Sequence, residues 1–138
     1  MCKLSNYNYR FINIPKYADE RGNLSVVESY VHIPFSIQRV YWMRDVPKGL
    51  YRGGEFHKKL RQVLLPIEGS FDVELEDGNI RTTITLDDPQ KGLLIEPVVW
   101  RKLSNFSKNA ICLVFASTPY DTNDNNSNYN DFLLQKTL

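Results

Sequence analysis

Short runs of β-branched and aromatic residues, many of them alternating with polar residues, recur along almost the whole chain. Seven of these runs predict β-strands, at residues 24–31, 37–43, 61–67, 71–76, 80–86, 92–97 and 110–117. No stretch has the apolar period of a long amphipathic helix. Turn-forming residues separate the runs about every eight to twelve residues, and this spacing predicts an all-β sandwich or barrel.

Two local signals refine this pattern. Asp77-Gly78 lies between the fourth and fifth runs, and this dipeptide tolerates the positive φ angles of a tight hairpin, so we expect these strands to pair antiparallel. After Tyr120 the chain becomes strongly polar, which predicts a turn or a short helical tail. The tail ends in the apolar residues Phe132 and Leu133, which could dock on a neighbour.

The composition is that of an ordinary folded protein and excludes several classes of partner. With 138 residues, 42% hydrophobic and 24% charged, we expect one domain spanning residues 1–138. The chain lacks a bilayer-spanning apolar run and a signal-peptide core, so we expect a cytoplasmic protein without a membrane partner. A formal net charge of +1 argues against nucleic acid as a partner. Cys2 and Cys112 are expected to be reduced, without a disulfide.

A carboxylate and an imidazole stand two positions apart in RGGEFHKKL, residues 52–60. If this stretch is an extended strand, Glu55 and His57 share one face with Tyr51 and Gly53. Such a pair can serve as an acid/base couple. The same spacing is also compatible with an exposed edge strand whose side chains meet only water.

Longer stretches of the chain resemble the sugar 3,4-ketoisomerases that act on thymidine-diphosphate-4-keto-6-deoxyglucose. These stretches are RGNLSVVE (21–28), IPFSIQRVYWMRD (33–45), RGGEFHKKLRQVLLPIEGSF (52–71), LEDGNIRTTITLDDPQKGLLIEPVVWRKLSNFS (75–107) and LVFASTPYD (113–121). The resemblance implies a cupin-type jelly roll, here with a short polar C-terminal segment, that forms a homodimer. It also implies a thymidine-diphosphate-linked (TDP-linked) 4-keto-6-deoxyhexose as substrate, converted to the 3-keto isomer in deoxyamino-sugar biosynthesis.

The chain departs from the family pattern at one expected catalytic position. Family members typically carry His-x-His before Lys-Lys-Leu; the second histidine falls on His57, whereas the first falls on Glu55. Two alternatives to ketoisomerisation therefore stay open. The chain could catalyse epimerisation next to the ketone of a related sugar nucleotide, or it could bind a sugar nucleotide without catalysis.

The expected reaction needs acid/base chemistry and no cofactor. A base removes the C3 proton to give an enediol, a proton moves between the two oxygens, and a proton returns to C4. An unperturbed Glu is a weaker base than His by about two pKa units, but burial in an apolar barrel is expected to raise the pKa of Glu55. Either Glu55 is the base with His57 as proton shuttle, or Glu55 orients His57, which is then the base.

The resemblance implies further residues around the sugar nucleotide. Tyr41 would donate to a sugar oxygen, although a buried structural tyrosine is the alternative. Arg101 would face the sugar and help set the stereochemistry of reprotonation, the alternative being a surface arginine. The other substrate-binding candidates are Trp100, Gln62 (if its strand carries a bulge) and, for the diphosphate, Arg21, Arg52 and Lys58.

A metal site is not expected. A cupin metal site usually adds a histidine from a later strand, and residues 92–103 contain none. Glu55 and His57 alone would supply only two ligands. The other histidine, His32, has no cluster of acids or ligands near it in the sequence and is expected at the surface or at an interface.

Overall fold

The computed structural model describes residues 8–137, and within this range the chain forms twelve strands and one short helix. The elements are β1 (Tyr9–Asn13), β2 (Lys16–Asp19), β3 (Gly22–Ser25), β4 (Arg39–Arg44), β5 (Arg52–His57), β6 (Gln62–Glu68), β7 (Phe71–Asp77), β8 (Ile80–Leu86), β9 (Lys91–Ile95), β10 (Trp100–Ser104), β11 (Ile111–Ala116), β12 (Asn125–Asn126) and α1 (Tyr129–Lys136).

Two five-stranded antiparallel sheets make up most of the structure. The first sheet has the strand order β1-β9-β6-β11-β4, and the second has the order β12-β5-β10-β7-β8. Strands β2 and β3 form a separate exposed hairpin. This arrangement confirms the predicted all-β jelly roll.

The apolar core lies between the two sheets because alternate residues of each strand point inward. Phe71, Val73 and Leu75 of β7 meet Leu64 of β6 and Val114 of β11 in one cluster. A second apolar cluster covers the outer face of the first sheet. Because its central strands β6 and β9 are buried on both faces, their sequences are almost continuously apolar.

Cys112 belongs to the cluster between the sheets. It is a buried free cysteine, and burial raises the pKa of its thiol to about 12. The thiol is therefore protonated and unreactive at neutral pH. Cys2 lies outside the described residues.

Strand predictions based on local signals had mixed outcomes. The Asp77-Gly78 hairpin is confirmed, since β7 and β8 pair antiparallel and Gly78 has a φ of 65°. The strand predicted over residues 24–31 is wrong beyond Ser25, where β3 ends. The chain then turns, with Tyr30 in the left-handed region (φ 61°). The apolar residues of that run include Val27, which packs on the outer cluster of the first sheet instead of joining a strand.

The polar C-terminal segment ends in α1, which docks on the outer face of the chain's own second sheet. Phe132 is fully buried, and its ring centroid lies 5.6 Å from that of Phe56 and 5.8 Å from that of Trp100. The sequence suggested that Phe132 could dock on a neighbour. In the structure it packs against the chain's own second sheet instead. No helix within residues 8–137 has the length and apolar character needed to cross a membrane.

Candidate active site

A cavity of about 470 Å³ opens between the two sheets. Strands β4, β6 and β11 of the first sheet and β5 and β10 of the second contribute to its wall. Apolar residues line part of it, namely Leu60, Leu64, Leu103 and Val114. Its polar lining includes Arg39, Tyr41, Arg52, Glu55, His57, Gln62 and Arg101. Such a concave site, lined by apolar side chains and a few polar groups, is typical of small-molecule binding.

A bulge in β5 sets which of its side chains face the cavity. Arg101 pairs with Glu55 but Lys102 pairs with Gly53, so one extra residue is inserted in β5 at this point. Gly53 and Gly54 both have a φ of 79°, and a Cβ on Gly53 would lie 3.1 Å from the Arg101 carbonyl oxygen. Only glycine fits this backbone without strain.

Glu55 and His57 both line the cavity, as strand alternation predicted. The His57 Nε2 atom lies 2.8 Å from the Glu55 Oε2 atom. The carboxylate oxygen does not lie along the direction of a ring N–H, so Nε2 has no well-aligned hydrogen-bond partner within residues 8–137. The pair is therefore a close electrostatic contact between the buried imidazole nitrogen and the carboxylate.

Burial and neighbouring charges set the protonation states of this pair. Burial lowers the pKa of His57, the Arg101 charge lowers it further, and the Glu55 contact only partly opposes them. Burial by itself would raise the pKa of Glu55, but the contact with His57 and the charge of Arg101 outweigh it, so the pKa ends below its usual value. The expected rise in the pKa of Glu55 is therefore wrong. At neutral pH the pair consists of a neutral imidazole beside a carboxylate.

A chain of polar side chains crosses the cavity wall next to this pair. Arg101 Nη1 donates to Gln62 Oε1 at 2.6 Å, and Gln62 Nε2 donates to the Tyr41 hydroxyl at 3.2 Å. Arg101 Nε and Nη2 both donate to the Val99 carbonyl, at 3.0 and 2.9 Å. These hydrogen bonds fix the orientation of the Arg101, Gln62 and Tyr41 side chains.

Arg101 is a buried cation, since only 2% of its surface is exposed. None of the ion pairs in the described part of the chain includes it. Burial lowers the pKa of its guanidinium to about 10, with the charge of Glu55 opposing, so the group stays protonated at neutral pH. Burial likewise raises the pKa of Tyr41, which keeps its hydroxyl protonated and able to donate.

The structure brings only some of the sequence-predicted residues to the cavity. Arg52 lines it because the bulge turns its side chain to the same side as Glu55. Trp100 precedes the inward-facing Arg101 and therefore points to the outer face, where it packs against Tyr129 and Phe132. The structure thus corrects the placement of Trp100, which cannot contact a ligand in this cavity.

Two basic candidates also lie away from the cavity of this chain. Arg21 sits at the turn of the β2–β3 hairpin, where it pairs with Asp19 at 2.5 Å and its side chain is 84% exposed. Lys58 is exposed in the turn after β5 and is not part of the cavity wall. Neither side chain belongs to the wall of this cavity.

Several cavity residues were not predicted from the sequence. The Arg39 guanidinium lies 5.2 Å from the Tyr41 ring and 5.4 Å from the Tyr120 ring, and its buried Nε has no hydrogen-bond partner in the described range. Its alternation with Tyr41 in β4 was a usable signal. Asp124 and Asn125, in contrast, belong to the polar segment, where no periodic pattern marks them.

The carboxylates and the imidazole that line the cavity are not arranged as a metal site within the described residues. Within residues 8–137, no group of three or more His, Cys, Asp or Glu side chains is arranged to hold a metal ion. His32, the other histidine, lies in the turn after β3, where its Nδ1 accepts a hydrogen bond from the backbone N–H of Glu28 at 2.8 Å.

Comparison with known proteins places the chain in a family. Two stacked antiparallel sheets around a polar cavity define a cupin-type jelly-roll protein. The model of the family described as "FdtA: WxcM-like, C-terminal" matches residues 7–137. The chain belongs to this family.

Characterised relatives are similar over nearly the full length. TDP-4-oxo-6-deoxy-alpha-D-glucose-3,4-oxoisomerase of Aneurinibacillus thermoaerophilus is 44% identical over 123 residues, which cover 89% of this chain and 88% of that protein. A mutant of the 3,4-ketoisomerase QdtA of Thermoanaerobacterium thermosaccharolyticum, solved in complex with TDP-4-keto-6-deoxyglucose, is 38% identical with a TM-score of 0.93 over 96% of both chains. The TDP-quinovose 3,4-ketoisomerase WlaRB of Campylobacter jejuni is 39% identical with a TM-score of 0.90, over 94% of this chain and 99% of that one.

Proposed function

We propose that the protein is a 3,4-ketoisomerase that converts TDP-4-keto-6-deoxyglucose, or a closely related TDP-linked 4-keto-6-deoxyhexose, to its 3-keto isomer in the cytoplasm. The observation that carries the proposal is the contact at 2.8 Å between His57 and Glu55 inside the cavity. It provides a neutral imidazole and a carboxylate at one point of a site large enough for a sugar. The identity of 44% to an oxoisomerase with this substrate in its name supports the choice of reaction.

His57 is the base in this proposal, and Glu55 supports it. The lowered pKa of His57 leaves its imidazole neutral and able to take the C3 proton at neutral pH. The lowered pKa of Glu55 makes its carboxylate a poor base but keeps its negative charge. That charge stabilises the imidazolium that forms when His57 accepts the proton.

Arg101 and Tyr41 act on the two sugar oxygens, O3 and O4. Removal of the C3 proton places negative charge on O4, and the buried Arg101 cation, on the strand that pairs with β5, stabilises that charge. The Tyr41 hydroxyl, held by Gln62, serves the transfer of a proton from O3 to O4. Reprotonation at C4 completes an isomerisation that neither gains nor loses atoms. The residues present therefore suffice without a redox cofactor.

Arg52 and Arg39 supply positive charge for the diphosphate. Both line the cavity, and guanidinium groups suit phosphate oxygens because they donate two parallel hydrogen bonds. The buried Nε of Arg39, which has no hydrogen-bond partner among the described residues, would gain one from the ligand. Arg39 joins the substrate-binding set in the proposal, and Trp100 leaves it.

A homodimer is part of the proposal. Val40 and Trp42 on the edge strand β4 are 45% and 60% exposed, and Tyr17 and Leu24 on the β2–β3 hairpin are 62% and 61% exposed. Unpaired edge strands and large exposed apolar side chains favour contact with a second copy. Light scattering of the purified protein tests this, and a monomer at micromolar concentration would contradict it.

Proton NMR in deuterated water with TDP-4-keto-6-deoxyglucose tests the reaction. We expect the C3 proton signal to disappear as a 3-keto species accumulates. A His57→Asn variant should show neither change, while a His32→Asn variant should match wild type because His32 lies in the turn after β3. Exchange without a new ketone would contradict isomerisation in favour of an epimerase, and no exchange would contradict enolisation altogether.

A further inference from the structure

A buried carboxylate outside the reacting pair holds the backbone that follows His57. Asp124 is 7% exposed, and its Oδ1 accepts hydrogen bonds from the backbone N–H groups of Lys58 at 3.0 Å and Lys59 at 2.8 Å. Its Oδ2 accepts from the backbone N–H of Leu60 at 3.0 Å. Three consecutive N–H groups that converge on one point form a concave site that favours an anion. The ionised carboxylate satisfies all three.

The end of β5 needs this support because its sheet neighbour stops short. The β5–β10 pairing runs from Arg52 to Glu55 and does not reach His57. On the other edge of β5, the short strand β12 pairs with this end, with Asn125 opposite His57 and Asn126 opposite Phe56. The segment around Asp124 therefore pairs with the backbone of His57, the residue proposed as the base.

A second contact ties this segment to the reacting pair. The Asn125 side chain lies close enough to the Glu55 carboxylate to help lower its pKa. On the opposite side, the backbone N–H of Val98 donates to the His57 carbonyl oxygen at 2.7 Å. The backbone of His57 is therefore clamped between residues 124–125 and Val98.

We propose that Asp124 is a positioning residue for His57: its carboxylate fixes the turn at residues 58–60 and thereby the place of the imidazole in the cavity. The proposal rests on the proposed function for its effect on turnover. Within residues 8–137, the hydrogen bonds that the carboxylate accepts come from backbone N–H groups, so its role in positioning requires no contact with substrate.

The charge of Asp124 also affects the imidazole. The charged groups that act on His57 are Glu55 of its own strand, Arg101 of β10 and Asp124. Arg101 lowers the pKa of His57, whereas Glu55 and Asp124 raise it. Removing the Asp124 charge should therefore lower that pKa further and shift the acid limb of the pH profile to lower pH.

Three variants test the proposal. Asp124→Ala removes all three acceptor contacts. Asp124→Asn keeps one acceptor oxygen for the N–H groups of Lys58 and Lys59, but it turns an NH₂ group toward the N–H of Leu60. Asp131→Asn is the matched control, because Asp131 is an exposed carboxylate of the same segment with one side-chain donor, Asn126, at 3.1 Å.

We expect kcat of Asp124→Ala to fall about 10- to 100-fold with KM changed by less than about threefold, the usual scale for a displaced catalytic group. Asp124→Asn should lie between this variant and wild type, and Asp131→Asn should match wild type. The proposal would be overturned if kcat/KM fell only because KM rose, or if kcat per folded molecule were unchanged in both Asp124 variants. If Asp124→Ala does not fold, Asp124→Asn decides alone.

An NMR titration of the imidazole separates this proposal from the proposed function. The chain has two histidines, so a His32→Asn variant assigns their signals. The pKa of His57 should be lower in Asp124→Asn than in Asp131→Asn, whether or not the protein isomerises a sugar. Identical His57 titrations in the two variants would refute the link between Asp124 and His57, while a shift without any turnover would refute only the function.

Discussion

Replacing Glu55 by Gln tests whether this carboxylate assists His57 or acts as the base. The substitution keeps the shape of the side chain and removes a negative charge whose oxygen lies 2.8 Å from His57 Nε2. Two unit charges about 4 Å apart interact by about 4 kcal/mol at an effective dielectric constant of 20. Because 24% of the Glu55 side chain is exposed to solvent, we take about half of this value. About 2 kcal/mol of lost imidazolium stabilisation lowers kcat roughly 30-fold.

The pH profile of kcat/KM gives the sharper readout. In the wild type it should rise with pH and level off above the pKa of His57, which lies below its ordinary value. Because the charge of Glu55 raises that pKa, the limb in Glu55→Gln should move to lower pH. Glu74→Gln is the matched control, since Glu74 is an exposed residue of β7 outside the cavity wall. If Glu55 were the base, the variant would lose about two orders of magnitude or more and its acid limb would vanish, which would refute the reasoning.

Three further predictions concern the buried cation, the helix and stability. Arg101→Leu should lower kcat about 100-fold with a smaller change in KM, measured by single-turnover kinetics, because a buried donor to the enediolate is lost. Phe132→Ala should lower the free energy of unfolding by about 3–5 kcal/mol in urea, whereas Leu134→Ala, at a residue that is 65% exposed, should change it by less than about 0.5 kcal/mol. Because the folded-state pKa of His57 is lowered, the unfolded state binds its proton more readily, and stability should fall as pH drops below about 6.5. His57→Asn should lose this part of the pH dependence; equal dependence in both proteins would contradict it.

Local sequence signals predicted the fold where a structure is set by neighbouring residues. The β7–β8 hairpin depends on two turn residues and on strand alternation, and both are visible in the sequence. Residues 26–31 were mispredicted as a strand because Val27 packs on a sheet built from residues far away in the chain, while Tyr30 and Val31 are exposed. Burial against a distant surface and burial within a strand leave the same composition.

The sequence predicted the reacting pair of the candidate site but not every residue that surrounds it. Alternation predicted that Glu55 and His57 share a face, since they lie two residues apart on one strand. Asp124 is separated by 64 to 66 residues from the N–H groups that it binds, and no periodic pattern reports such a contact. The direction of the Glu55 pKa shift also escaped prediction, because the contact with His57, and after it the charge of Arg101 on a different strand, outweigh the effect of burial.

The glycine bulge in β5 acts as a phase shift along the strand. It places Arg52 and Glu55, three residues apart, on the same side, a spacing that a regular strand would divide between its two faces. Deleting one glycine would therefore exchange inside and outside for every residue upstream, taking Arg52 out of the cavity while leaving Glu55 and His57 in place. In an engineered or diverged copy of this chain, the number of residues between Arg52 and Glu55 matters as much as their identity: it decides whether the proposed phosphate-binding charge and the reacting pair face the same ligand.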